Sequence, residues 1–116
     1  MKFYPVLTLA ITAAVASLAT VVPVSAASFS CMDAENMKPA EQRICASPRL
    51  EALDERLDSW YSRALVRAKY FDQTSEVRAK QRLWVQSRNS CGWSTPCIRR
   101  HYLVRIQELK NYVEHV

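Results

Sequence analysis

The stretch SPRLEALDERLDSWYSRALVRAKYF, residues 47–71, decides the fold class. Within it Leu50, Leu53, Leu57, Trp60, Ala64, Ala68 and Phe71 recur at steps of three and four, the spacing that gathers side chains on one face of an α-helix. Ser47 suits the N-cap, because a serine hydroxyl accepts from a first-turn amide. Pro48 suits the first helical position, where a missing N–H leaves no bond unmade. Asp72, Gln73, Thr74 and Ser75 then break the pattern.

Toward the C-terminus, Thr74 or Ser75 is placed to cap a second long helix that carries Glu76 in its first turn and runs to about Cys91. Its face is mixed: Val77, Gln81, Trp84, Arg88 and Cys91 share one side, so polar groups alternate with apolar ones. Gly92 suits the left-handed residue that ends a helix. Thr95 and Pro96 open a last helix whose Ile98, Tyr102, Ile106, Leu109 and Val113 form an apolar line. Toward the N-terminus, Pro39 opens a short helix that reaches Cys45, after an irregular lead-in over residues 27–38. The chain has a single glycine, no alternating apolar run that would mark a strand, and no repeat. The sequence therefore reads as all-α, a small antiparallel helical hairpin or three-helix bundle with a short leading helix.

The first residues differ from the rest. Lys2 precedes an uncharged run from Val6 to Val22, and Pro23, Val24, Ser25 and Ala26 follow, with small residues where a signal peptidase reads. This pattern predicts a signal peptide over 1–26, cleaved after Ala26, and one domain over 27–116 that spans no membrane. It places the protein in the periplasm or outside the cell. Losing the leader removes Lys2 alone, which lowers the net charge from +5 to +4. Such a mild excess favours anionic partners without calling for a nucleic acid.

A domain this short buries only about 60–65% of its unfolded surface, so crosslinks matter. Cys31, Cys45, Cys91 and Cys97 form an even set in an oxidising compartment and read as two disulfides, with three possible connectivities. The short Gly92–Pro96 connection favours Cys91 with Cys97, which leaves Cys31 with Cys45; a crossed pairing would instead fasten the N-terminal segment onto the bundle. The close cysteine pairs of a zinc site are missing, and no metal or cofactor motif appears. Asp54 and Asp58 share a helix face, yet nothing apolar beside them suggests a raised pKa, and His101 and His115 are too far apart to act from neighbouring turns. The sequence gives no catalytic residue.

Arg99, Arg100 and Arg105, with His101 on the same helix and Arg78, Lys80 and Arg82 on its neighbour, read as a candidate basic surface for anionic envelope glycan or lipid. Gln81 and Arg88 read as a structural polar tie, since a buried charge on the bundle face demands partners, which Glu41, Asp54 or a helix-end carbonyl would supply.

Cys31, then Glu41, Gln42, Arg43, Ile44 and Cys45, then Ser47, Pro48, Leu50, Leu53 and Asp54, followed by the stretch QRLWVQSRNSC at 81–91 and by Cys97, together resemble the lysozyme inhibitor LprI-like N-terminal domain family of bacterial envelope proteins. The likeness covers nearly the whole chain after the leader. One position departs from the pattern: Asn89 stands where the family often has an acid. The resemblance implies a small exported helical protein, lysozyme as a possible partner, and inhibition by a segment that occludes the substrate cleft. Here that segment would be Gly92, Trp93, Ser94 and Thr95, with Trp93 as a large rigid anchor. In the competing reading Trp93 folds back and seals the end of the bundle. Charge opposes the inhibitor reading, because animal lysozymes are strongly basic, unless acidic groups such as Glu51, Asp54, Glu55 and Asp58 gather at the contact.

Overall fold

The structure is a computed structural model that describes Lys2 and residues 29–115. The leader assigned to 1–26 and its cleavage site therefore lie outside the described residues, Lys2 apart. After a short 3-10 turn at Ala34–Asn36 come four helices: α1 (Pro39–Cys45), α2 (Pro48–Tyr70), α3 (Thr74–Asn89) and α4 (Thr95–Glu114). Among the described residues there is no strand and no helix long and apolar enough to cross a membrane.

The helices start and stop for local reasons. Glu41 accepts from the Lys38 amide at 3.1 Å and closes the first turn of α1 behind Pro39. Ser47 accepts from the Leu50 amide at 3.3 Å, and Ser94 from the Cys97 amide at 3.4 Å. The start of α3 departs from expectation. Its N-cap is Gln73, not Thr74 or Ser75, and the Gln73 side chain makes no cap bond; its Oε1 accepts instead from the Tyr112 hydroxyl at 2.6 Å. At the end of α2, Asp72 takes φ 54°, a left-handed conformation normally given to glycine, and Gln73 N–H returns to Ala68 O at 2.8 Å. Phe71, placed by spacing at the end of the apolar stripe, has left the helix and is 53% exposed.

Three long helices run up, down and up. Tyr102, early in α4, bonds to Asp54, early in α2, and Arg67 near the end of α2 donates to Val113 O near the end of α4 at 3.2 Å, so these two helices are parallel. They share the most extensive packing. The α3 helix runs against both: Tyr112, late in α4, reaches Gln73 at its start, and Trp84, late in α3, donates to His101 O at 3.1 Å. The core comprises Leu50, Leu57, Ala64 and Ala68 from α2, Val77 from α3, Ile98, Tyr102, Ile106 and Leu109 from α4, and Ala40 and Ile44 from α1. Alanines at 64 and 68, both fully buried, keep that part of α2 close to its neighbours.

Both disulfides follow the favoured connectivity. Cys31–Cys45 ties the lead-in to α1, and Cys91–Cys97 joins the end of α3 to the start of α4. By loop-closure entropy they stabilise by about 3 and about 2 kcal/mol respectively.

Candidate functional site

One end of the bundle gathers α1, the starts of α2 and α4, the end of α3, and both disulfides. It is held from inside by a polar network. Arg88, fully buried, donates from Nη1 to the Tyr102 hydroxyl at 3.3 Å, and that hydroxyl donates to Asp54 Oδ1 at 2.7 Å. Three helices are thus joined through one phenol. The Arg88 guanidinium is packed by the rings of Phe29, Trp84 and Tyr102 at 5.0, 5.3 and 5.9 Å, so a large part of its surroundings is aromatic. It also donates from Nε and Nη2 to Asn89 Oδ1 at 3.2 and 3.0 Å. Asn89, one residue after Arg88, is therefore an acceptor for its guanidinium.

Burial pushes the Asp54 carboxyl above the usual aspartate range, against the lowering effect of the Tyr102 bond and of Arg88. The Asp58 carboxyl is raised by burial as well. This corrects the expectation that nothing beside these residues would shift them: Asp54 lies between Leu50 and Leu57 on the inner face of α2 and is 4% exposed. Asp54 accordingly belongs to the core, not to an acidic patch for a partner. Burial likewise raises the Tyr102 phenol, which stays neutral and keeps its proton for Asp54.

Gln81 and Arg105 form a second buried pair. Arg105 Nε donates to Gln81 Oε1 at 3.0 Å, while Arg105 Nη1 meets Glu108 at 3.2 Å. Arg105 is 7% exposed, so it cannot serve a basic surface with Arg99 and Arg100, which are exposed. The candidate basic face thereby loses one of its three named arginines, because Arg105 stands three residues after Tyr102 and four before Leu109, on the inner side of α4. Glu41 Oε1 is taken up in starting α1, and the carboxylate joined to Arg88 through Tyr102 is Asp54.

Above the network lies the turn between α3 and α4. Gly92 has φ +56°, the left-handed conformation its spacing implied, with nothing within 4 Å of where a Cβ would stand. Trp93 follows and is 54% exposed. Its ring rests on Arg43 of α1, whose guanidinium carbon is 5.7 Å from the ring centroid. The indole is thus partly covered by α1 and partly open. Arg43 Nε is buried without a hydrogen-bond partner; in the sequence this residue figures only in the family resemblance and has no role assigned. Ser94 spends its hydroxyl on the α4 cap, and Thr95 is exposed as the first residue of that helix. Cys91, Cys97 and His101 also converge here at metal-ligand distances, although the two sulfurs are joined to each other.

The fold and this end define a class: a small helical bundle with two disulfides and a crosslinked, aromatic-tipped turn. The sequence model described as lysozyme inhibitor LprI matches residues 31–109, well over half of the chain, and the protein belongs to that family. No curated protein and no solved structure matches it.

Proposed function

We propose that the protein is an exported lysozyme inhibitor, released by cleavage after Ala26, whose Trp93 turn enters the substrate cleft of the enzyme. The observation that supports this reading is an exposed tryptophan on a turn fixed at both ends, by the Cys91–Cys97 disulfide and by the Ser94 cap. A tryptophan held this way has little freedom to lose on binding, so most of its burial energy is retained as affinity.

The charge objection weakens at this location. A lysozyme cleft carries a pair of carboxylates for its chemistry. Arg43 lies against Trp93, and Arg99 and Arg100 are exposed in the first turns of α4, so an indole in a sugar subsite would arrive with cations beside it. Those cations meet the acidic cleft, whatever the net charge of the rest of the enzyme.

The test is lysis of peptidoglycan-labelled cells by lysozymes of several classes, with the oxidised protein and with Trp93→Ala. A hot-spot loss of about 2 kcal/mol would weaken inhibition by about 30-fold in the variant. Absence of inhibition at high micromolar protein in every class rejects the reading.

A further inference from the structure

The two disulfides sit in opposite electrostatic settings. Cys97 belongs to the first turn of α4, and His101 follows one turn later. His101 Nδ1 is 2.8 Å from Cys97 O. A carbonyl oxygen only accepts, so Nδ1 carries the hydrogen. The same nitrogen is 3.3 Å from Cys91 Sγ and 3.8 Å from Cys97 Sγ, which leaves its N–H shared between the carbonyl and the disulfide, nearer the Cys91 sulfur. Around Cys31–Cys45 the neighbours are a carboxylate oxygen, Glu51 Oε1 at 4.0 Å from Cys31 Sγ, and the Met37 thioether sulfur at 3.8 Å from Cys45 Sγ. An N–H donor stabilises a thiolate, whereas a carboxylate repels one.

We infer that Cys91–Cys97 with His101 is a thiol–disulfide exchange site for a dithiol, and that Cys31–Cys45 is an inert crosslink. The chemistry is a two-electron transfer. One thiolate of the dithiol attacks Cys97 Sγ, forming a mixed disulfide, and the Cys91–Cys97 bond breaks with its electron pair going to Cys91 Sγ. The His101 N–H holds the departing Cys91 thiolate, which then takes a proton from water. The second thiol, once deprotonated, closes on its partner sulfur and releases Cys97 as a thiolate that is protonated in turn. The dithiol leaves oxidised to a disulfide, and the protein's disulfide is reduced to two thiols. Stabilising the leaving thiolate speeds such exchange, and the N-terminal end of α4 favours negative charge at Cys97 when the second sulfur departs. Both cysteines are half-buried, and Trp93, Ser94 and Thr95 between them are exposed.

The experiment treats the oxidised protein with dithiothreitol, quenches with an alkylating reagent at successive times, and maps the modified cysteines by peptide mass. Cys91 and Cys97 should be alkylated on the order of tenfold sooner than Cys31 and Cys45. His101→Ala should slow this reduction several-fold with the Cys31–Cys45 rate unchanged, and His101→Asn, which retains an N–H, should recover part of the loss. With glutathione, a monothiol, the trapped adduct should be on Cys97. Equal rates for the two bonds in the unmodified protein overturn the inference even if both His101 variants fail to fold. So does an unchanged ratio in a folded His101→Ala, or an adduct confined to Cys91.

Discussion

The two ends of this bundle are built on different principles. At one end α1, two disulfides, the Arg88–Tyr102–Asp54 network and the Trp93 turn are packed together; at the other, α2 passes into α3 through a left-handed Asp72, beside the exposed Tyr70 and Phe71, and no disulfide crosses it. The first end is over-determined by covalent and polar links; the second relies on apolar packing, on Arg67 against the rings of Phe71 and Tyr112, and on side-chain hydrogen bonds from Arg67 to Val113 O and from Tyr112 to Gln73. Rigidity is concentrated where a binding turn would need it, since a turn that is already ordered loses less entropy when it docks.

The largest effect is expected at Arg88. Arg88→Ala removes a fully buried cation, leaves the Asp54 carboxylate facing a neutral phenol and opens a void among Phe29, Trp84 and Tyr102. The expected loss is about 3–5 kcal/mol, which lowers the melting temperature by more than about 12 °C in a domain of this size. Arg99→Ala, an exposed control, should stay within about 0.5 kcal/mol. Equal small losses in the two melts would mean that the network contributes nothing beyond ordinary surface charge.

Asn89→Asp sharpens the same end. A carboxylate would replace the amide oxygen that already accepts two bonds from Arg88, and charge assistance is expected to raise stability by about 1 kcal/mol. Urea denaturation reads this directly; a destabilised variant would show that Arg88 is already saturated with negative charge from the Asp54 side.

At the opposite end, Asp72→Gly relieves the cost of a side chain at φ 54° and should add about 0.5–1 kcal/mol, less than Asn89→Asp or equal to it. A loss on this substitution would assign the Asp72 side chain a role beyond ending α2.

The smallest effect is a pH dependence. Burial holds the folded-state pKa of Asp54 above its ordinary value of about 4, so on acidification the folded protein takes up this proton before the unfolded chain does. The group therefore adds stability as pH falls through that window and withdraws it as pH rises. Melting temperatures of the wild type and Asp54→Asn, compared from pH 7 down to pH 4, should shift relative to each other in favour of the wild type. A shift toward the variant would mean that Arg88 and Tyr102 outweigh the burial.

Much of this architecture is legible in residue spacing. The stripes of α2 and α4, the cap at Ser47, the helix start at Pro39 and the left-handed Gly92 follow from local rules, and the mixed stripe of α3 puts Gln81 and Arg88 on the bundle face. Asp54 stands among the partners that a buried Arg88 demands, but the Tyr102 phenol that joins the two is not legible from spacing. Arg105 occupies an inward position by the same three-and-four count, but an arginine among basic neighbours reads as solvated until its tertiary partner, Gln81, is known. Arg43 gave no signal, because its contact with Trp93 joins α1 to a turn 50 residues away in sequence. Gln73 starting α3 was hidden similarly, since its side chain answers to Tyr112 and not to its own helix.

Calorimetric titration of lysozyme with the oxidised protein, in the absence and then in the presence of a chitooligosaccharide that fills the cleft, reads whether the proposed contact of the crosslinked end lies in the cleft. The proposed cleft contact requires binding to the free enzyme that is lost when the cleft is occupied. Binding of equal strength with the saccharide in place would contradict it and put the contact elsewhere on the enzyme.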